Sequence, residues 1–91
     1  MKKLLLALLA CGFAIGIAQA ATFTVNNTNN TGAGSLRQAI ADANTTPGAD
    51  VIVFDNALAN QTITISSPFL VITSDMTIDG SGAPNLTISG G

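Results

Sequence analysis

Beyond residue 20 the chain carries six charged side chains: Arg37, Asp42, Asp50, Asp55, Asp75 and Asp79. These are its chemical inventory, because the same stretch has no Lys, Glu, His, Cys, Tyr or Trp. No imidazole can serve there as base or metal ligand, and no thiolate can attack. Nucleic-acid binding needs clustered basic residues, and one Arg is not a cluster. Paired acid–base catalysis needs two carboxylates at a set separation with pKa values driven apart. Five scattered Asp show no such pair. Asp75 and Asp79 flank Met76-Thr77-Ile78 and are the nearest approach to a cation site. Calcium takes about six to eight oxygens, however, and Asp beside turn residues is accounted for by turn chemistry. No catalytic, cofactor-binding or metal-binding residue is therefore assigned, and no cofactor is expected.

Arg37 admits two readings. It could bind a carboxylate or a sugar. Alternatively, its fork of donors could tie a helix to strand-end carbonyls or to an Asp such as Asp50 or Asp55. No base accompanies it, so the structural role is expected. Five Asn residues (26, 29, 44, 60 and 85) begin N-x-T sequons. With eleven Thr, eight Asn and six Ser after residue 20, these are the by-product of a polar composition suited to an exposed β-rich surface.

The elements that must position these groups are short. Thr22–Asn26 alternates, with Phe23 and Val25 on one side, and predicts a half-buried edge strand. "NTNNTGAG" is a polar turn segment. Ser35 then opens a helix over 35–44. Ser35 and Gln38 form a capping box, in which each side chain satisfies a backbone N–H of the first turn. Leu36, Ala39, Ile40 and Ala43 make one apolar stripe, and Pro47-Gly48 stops the helix. A helix this short must pack on something to persist in water. Asp50–Asp55 ("DVIVFD") predicts a strand buried on both faces, as in parallel sheets. Further strands are predicted at Gln61–Ser66 and Phe69–Thr73. Thr77-Ile78-Asp79-Gly80 recurs as Thr87-Ile88-Ser89-Gly90, with a weaker echo at Thr62–Ile65. Short Ile-bearing strands broken by Gly, Asn and Asp are the pattern of a β-solenoid.

Residues 1–20 have the three parts of a secretory leader. Lys2 and Lys3 are the charged start, Leu4–Ile17 the apolar centre, and Ala18-Gln19-Ala20 the small-residue cleavage motif, with cleavage between Ala20 and Ala21. The apolar run is shorter than the ~20 residues a bilayer span needs. Cys11 follows "LLA" and weakly resembles a lipidation signal, but the apolar run continues beyond it. On the cleaved-leader reading Cys11 departs with the leader, leaving no thiol or disulfide. The remaining 71 residues carry one Arg against five Asp, a net charge of −4.

The segments "FTVNNT", "GAGSLRQAIADAN", "GADVIVFD", "QTITI", "MTIDGSG" and "LTISG" occur in that order. As a set they resemble the N-terminus of secreted bacterial right-handed parallel β-helix repeat proteins, the group with a C-S-L-R-E-A-like segment. Gly34 stands where the cysteine-bearing relatives have Cys. The resemblance implies a mainly β fold: a leader helix (1–20), an N-terminal cap with one strand and one short helix (21–55), and the opening coils of a right-handed β-helix (56–91), truncated within the pattern. In that arrangement Ser35, Leu36, Arg37, Gln38 and Ile40 close the first coil, and later coils stack on Ile63, Ile65, Ile72, Ile78 and Ile88. The expected function is a secreted or cell-surface, adhesin-like structural module without catalysis of its own. Its partners would be surface glycans or other surface components met through further coils. No nucleic acid is expected, and contact with the membrane would be through the transient leader. Two alternatives stand beside this: the head of a polysaccharide-active, pectate-lyase-like enzyme, and a truncated product without function.

Overall fold

A computed structural model describes residues 20–91. The leader expected at 1–20 lies outside the described residues except for Ala20.

Strand β1 (Thr22–Val25) alternates in burial, with Phe23 partly buried and Val25 fully enclosed. Helix α1 (Leu36–Asn44) follows a ten-residue loop. Its buried side chains are Leu36, Ala39, Ile40 and Ala43, the one stripe that 3.6-residue periodicity allows. Strand β2 (Asp50–Phe54) comes next, then a single 3₁₀ turn at Asn56–Leu58 that buries Leu58. Three short strands complete the chain: β3 (Thr62–Thr64), β4 (Met76–Asp79) and β5 (Thr87–Ser89).

All pairings are parallel. One sheet has the order β1-β2-β4 and the other pairs β3 with β5. The register places Phe23 beside Ile52 and Ile52 beside Ile78 in the first sheet. Ile63 lies beside Ile88 in the second. A parallel pair needs a long crossover, and α1 is the crossover between β1 and β2. Val25, Ile52 and Phe54 of the first sheet join Ile63 of the second and the α1 stripe in one core. Each Val, Leu, Ile or Phe among them contributes about 1.5–3 kcal/mol when fully buried, and α1, too short to persist alone, is held by this contact.

The structure corrects the expected fold class. Among the described residues, five short parallel strands form two separate sheets with one helix, and neither sheet closes or builds a solenoid. The physical reason lies largely in Phe69–Thr73. This apolar run forms no strand. Its backbone is tied instead to the Asn44 side chain, whose Nδ2 donates to Val71 O (2.8 Å) and whose Oδ1 accepts from Thr73 N (2.8 Å). Phe69, Val71 and Ile72 are consequently exposed, Phe69 at 84%. The stacking expected of the isoleucines is also corrected. Ile63 is buried and Ile65 packs on the core, whereas Ile72, Ile78 and Ile88 are exposed. The strand expected to be buried on both faces is buried on one: Asp50, Ile52 and Phe54 point inward, and Val51 and Val53 are half-exposed.

Candidate functional site

Arg37 leaves the first turn of α1 and meets the loop that precedes the helix. Its Nε donates to Asn30 O (3.0 Å), and its Nη2 donates to Asn30 Oδ1 (3.1 Å) and Ser66 O (2.7 Å). Asn30 Oδ1 also accepts from Ser66 N (3.0 Å). The guanidinium thus joins the 26–34 loop, α1 and the chain leaving β3. Of the structural partners read from sequence, it takes a carbonyl beyond a strand end, and its hydrogen bonds do not run to Asp50 or Asp55.

Ser35 caps α1. Its Oγ accepts from Gln38 N (3.1 Å) and donates to Gly32 O (2.7 Å). The return half of the expected capping box does not form. Gln38 Nε2 donates to Asp42 Oδ1 (2.8 Å), one turn along the helix, and Ser35 N is already bonded to Gly32 O (3.2 Å). Leu36 and Ile40 are buried in the core. Gly34 has φ +80°, and a Cβ there would overlap Asn26 Oδ1 and lie 2.7 Å from Asn27 Nδ2. Those amides are engaged with each other and with Ala33 O. The absence of a side chain at 34 is thus a steric requirement of this loop.

The carboxylates are dispersed. Asp55 Oδ1 accepts from Ala57 N (2.9 Å) and caps the 3₁₀ turn. Asp79 Oδ1 accepts from Ser81 N (2.9 Å). That backbone bond, and secondarily the Ser81 hydroxyl, holds the Asp79 carboxyl below its ordinary value of 3.8. Asp75 and Asp79 bracket β4, so roughly 13 Å of extended chain separates their Cα atoms. They cannot share one ion without a fold around them. Among the described residues no group of three or more His, Cys, Asp or Glu is placed to hold a metal.

Two surface grooves are large enough for a small ligand. One, of about 420 Å³, lies between the end of α1 and the approach to β4; its lining includes Asn44, Thr46, Gly48, Ser74 and Asp75. Hydroxyls, amides and one carboxylate equip it to hydrogen-bond a polyhydroxylated ligand, but it brings no second acid or base to Asp75. The other, of about 450 Å³, is mostly apolar and includes Ile65, Phe69, Leu70, Ile88 and Gly90. Among the described residues no helix is long and apolar enough to cross a membrane.

Sequence reasoning assigned Asp50 only as a partner for Arg37. The structure places it, fully buried, at the start of β2. Strand alternation carried the signal, because residues 50, 52 and 54 share a face. The Asn pins were also missed. Asn60 and Asn85 both have positive φ (64° and 63°), and Asn85 Nδ2 donates to Asn60 Oδ1 (3.1 Å). Asn tolerates this left-handed conformation better than most residues, but which two of the chain's eight Asn meet is decided by the pairing of β3 with β5. No protein-family model, no curated protein and no solved structure matches this chain.

Proposed function

We propose that the chain is a secreted or cell-surface structural module of adhesin-like character, with no catalysis of its own. One observation carries this reading: of the six charged side chains after residue 20, Arg37, Asp50, Asp55 and Asp79 hold backbone, and Asp42 is bonded to the Gln38 side chain. A catalytic pair instead needs two groups facing a substrate with separated proton affinities. Export is supported by Lys2, Lys3, the apolar run after them and Ala18-Gln19-Ala20. The Thr- and Asn-rich surface, the polar groove beside Asp75 and the exposed ring of Phe69 suit contacts with surface glycans or other surface components.

The test is expression of the full chain in a bacterial host, followed by fractionation and assay on pectin and related polysaccharides. The product is expected outside the cytoplasm and without turnover. Retention in the cytoplasm with the leader attached overturns the export reading. Turnover that disappears in Asp75→Asn or Asp79→Asn overturns the non-catalytic reading.

A further inference from the structure

Asp50 has no exposed surface, yet it is only half satisfied. Its Oδ1 accepts one hydrogen bond, from Ala21 N at 2.9 Å. Its Oδ2 is buried and has no hydrogen-bond partner among the described residues. A buried carboxylate is tolerated when it is paired with a cation or fully hydrogen-bonded. The sole Arg is committed to Asn30 and Ser66, and there is no Lys or His beyond residue 20. One further cation can arise at this place. Ala21 is the residue that leader removal would make the first of the chain, and its nitrogen already lies on the Asp50 carboxylate. Ala21 is also fixed through its carbonyl, which accepts from Val51 N (2.9 Å). Ala20, on the other side of the scissile bond, is exposed.

We propose that Asp50 is the receptor for the α-ammonium group created at Ala21 by leader cleavage, so that processing completes the fold with a partly buried ion pair. In the cleavage, water adds to the Ala20 carbonyl and the Ala20–Ala21 C–N bond breaks. Ala20 departs as a carboxylate carrying the water oxygen, and the Ala21 nitrogen, which already bears one hydrogen, takes both protons of the water to become –NH₃⁺. One amide N–H is thereby replaced by three N–H donors and a positive charge. One donor keeps the bond to Oδ1, and a second can serve Oδ2, which the uncleaved chain leaves unpaired. A charge-assisted pair of this kind is stronger than the amide bond it replaces. The inference rests on the reading of the chain as exported and processed.

The composition supplies the experiment. Residues 21–91 contain no Lys, so after cleavage the α-amine is the sole amine available to an acylating reagent. The exported product is purified, its N-terminus is read by intact mass, and its reaction with an N-hydroxysuccinimide acetate is followed. The expected start is Ala21. Acylation is expected to be at least roughly tenfold slower in the native product than in denaturant or in processed Asp50→Asn, because paired ammonium is not nucleophilic. A start at Ala21 with acylation equally fast in native and denatured product overturns the ion pair and leaves the export reading standing. A product that keeps the leader, or begins elsewhere, overturns the processing reading itself. If Asp50→Asn does not fold, wild-type product acetylated in denaturant and refolded replaces it. Loss of amide-exchange protection along β1 and β2 then supports the pair, and unchanged protection overturns it.

Discussion

At the scale of single residues, polar side chains here act mainly as clamps on the backbone. Arg37 holds a carbonyl in its own loop and another past β3. Asn44 holds the 71–73 backbone at two points. Asp79 is the example with a measurable titration. Its carboxylate accepts from Ser81 N, which favours the charged form and lowers its folded pKa. The sign follows: any stability it contributes is complete above the unfolded carboxylate range and is lost as pH falls through the lower folded value. The side chain is fully exposed, so solvent screens the effect. NMR titration of the Asp79 carboxyl carbon is expected to give a midpoint below 3.8, retained in part in Ser81→Ala, which keeps the backbone donor. A midpoint at or above 3.8 in the native protein would refute this account.

At the scale of elements, α1 is specified twice over: by its apolar stripe and by the Ser35 cap. Ser35→Ala removes both the bond from Gln38 N and the bond to Gly32 O. The loss expected is about 1–2 kcal/mol, the upper part of the range for cap deletions, because Ser35 is fully buried. Urea unfolding monitored by circular dichroism checks it, and an unchanged midpoint counts against the cap. The element that failed to form is equally informative. Phe69–Thr73 has the composition of a strand, but a strand also needs a neighbour with which to exchange hydrogen bonds. The Asn44 side chain takes that role for Val71 and Thr73, and the run stays outside both sheets.

At the scale of the whole molecule, burial divides isoleucines that lie side by side in the sheets. Ile52 and Ile63 have no exposed surface, whereas their register neighbours Ile78 and Ile88 are 40% and 46% exposed. Ile63→Ala is expected to destabilise the fold by about 2–5 kcal/mol through lost burial and a cavity. Ile88→Ala, on the other strand of the same pair and already half-exposed, is expected to cost less than half as much. Equal losses in denaturant unfolding would contradict this division. Edge position alone does not divide the isoleucines, because β3 and β5 each have one strand neighbour; Ile52 and Ile63 belong to the common core, and Ile78 and Ile88 do not.

The sequence alone determined local features. Periodicity marked the α1 stripe, alternation marked the inward face of β1, and side-chain chemistry marked Ser35 as a cap. These are readable because they depend on residues within about one turn or one strand of each other. The tertiary structure decided what depends on partners distant in sequence. It set how many sheets form, left Phe69–Thr73 unpaired, and parted Ile63 from Ile88. It also enclosed Asp50 against Ala21, 29 residues away. A repeat such as Thr77–Gly80 and Thr87–Gly90 states which residues are alike. Only packing states which of them have a neighbour to be buried against.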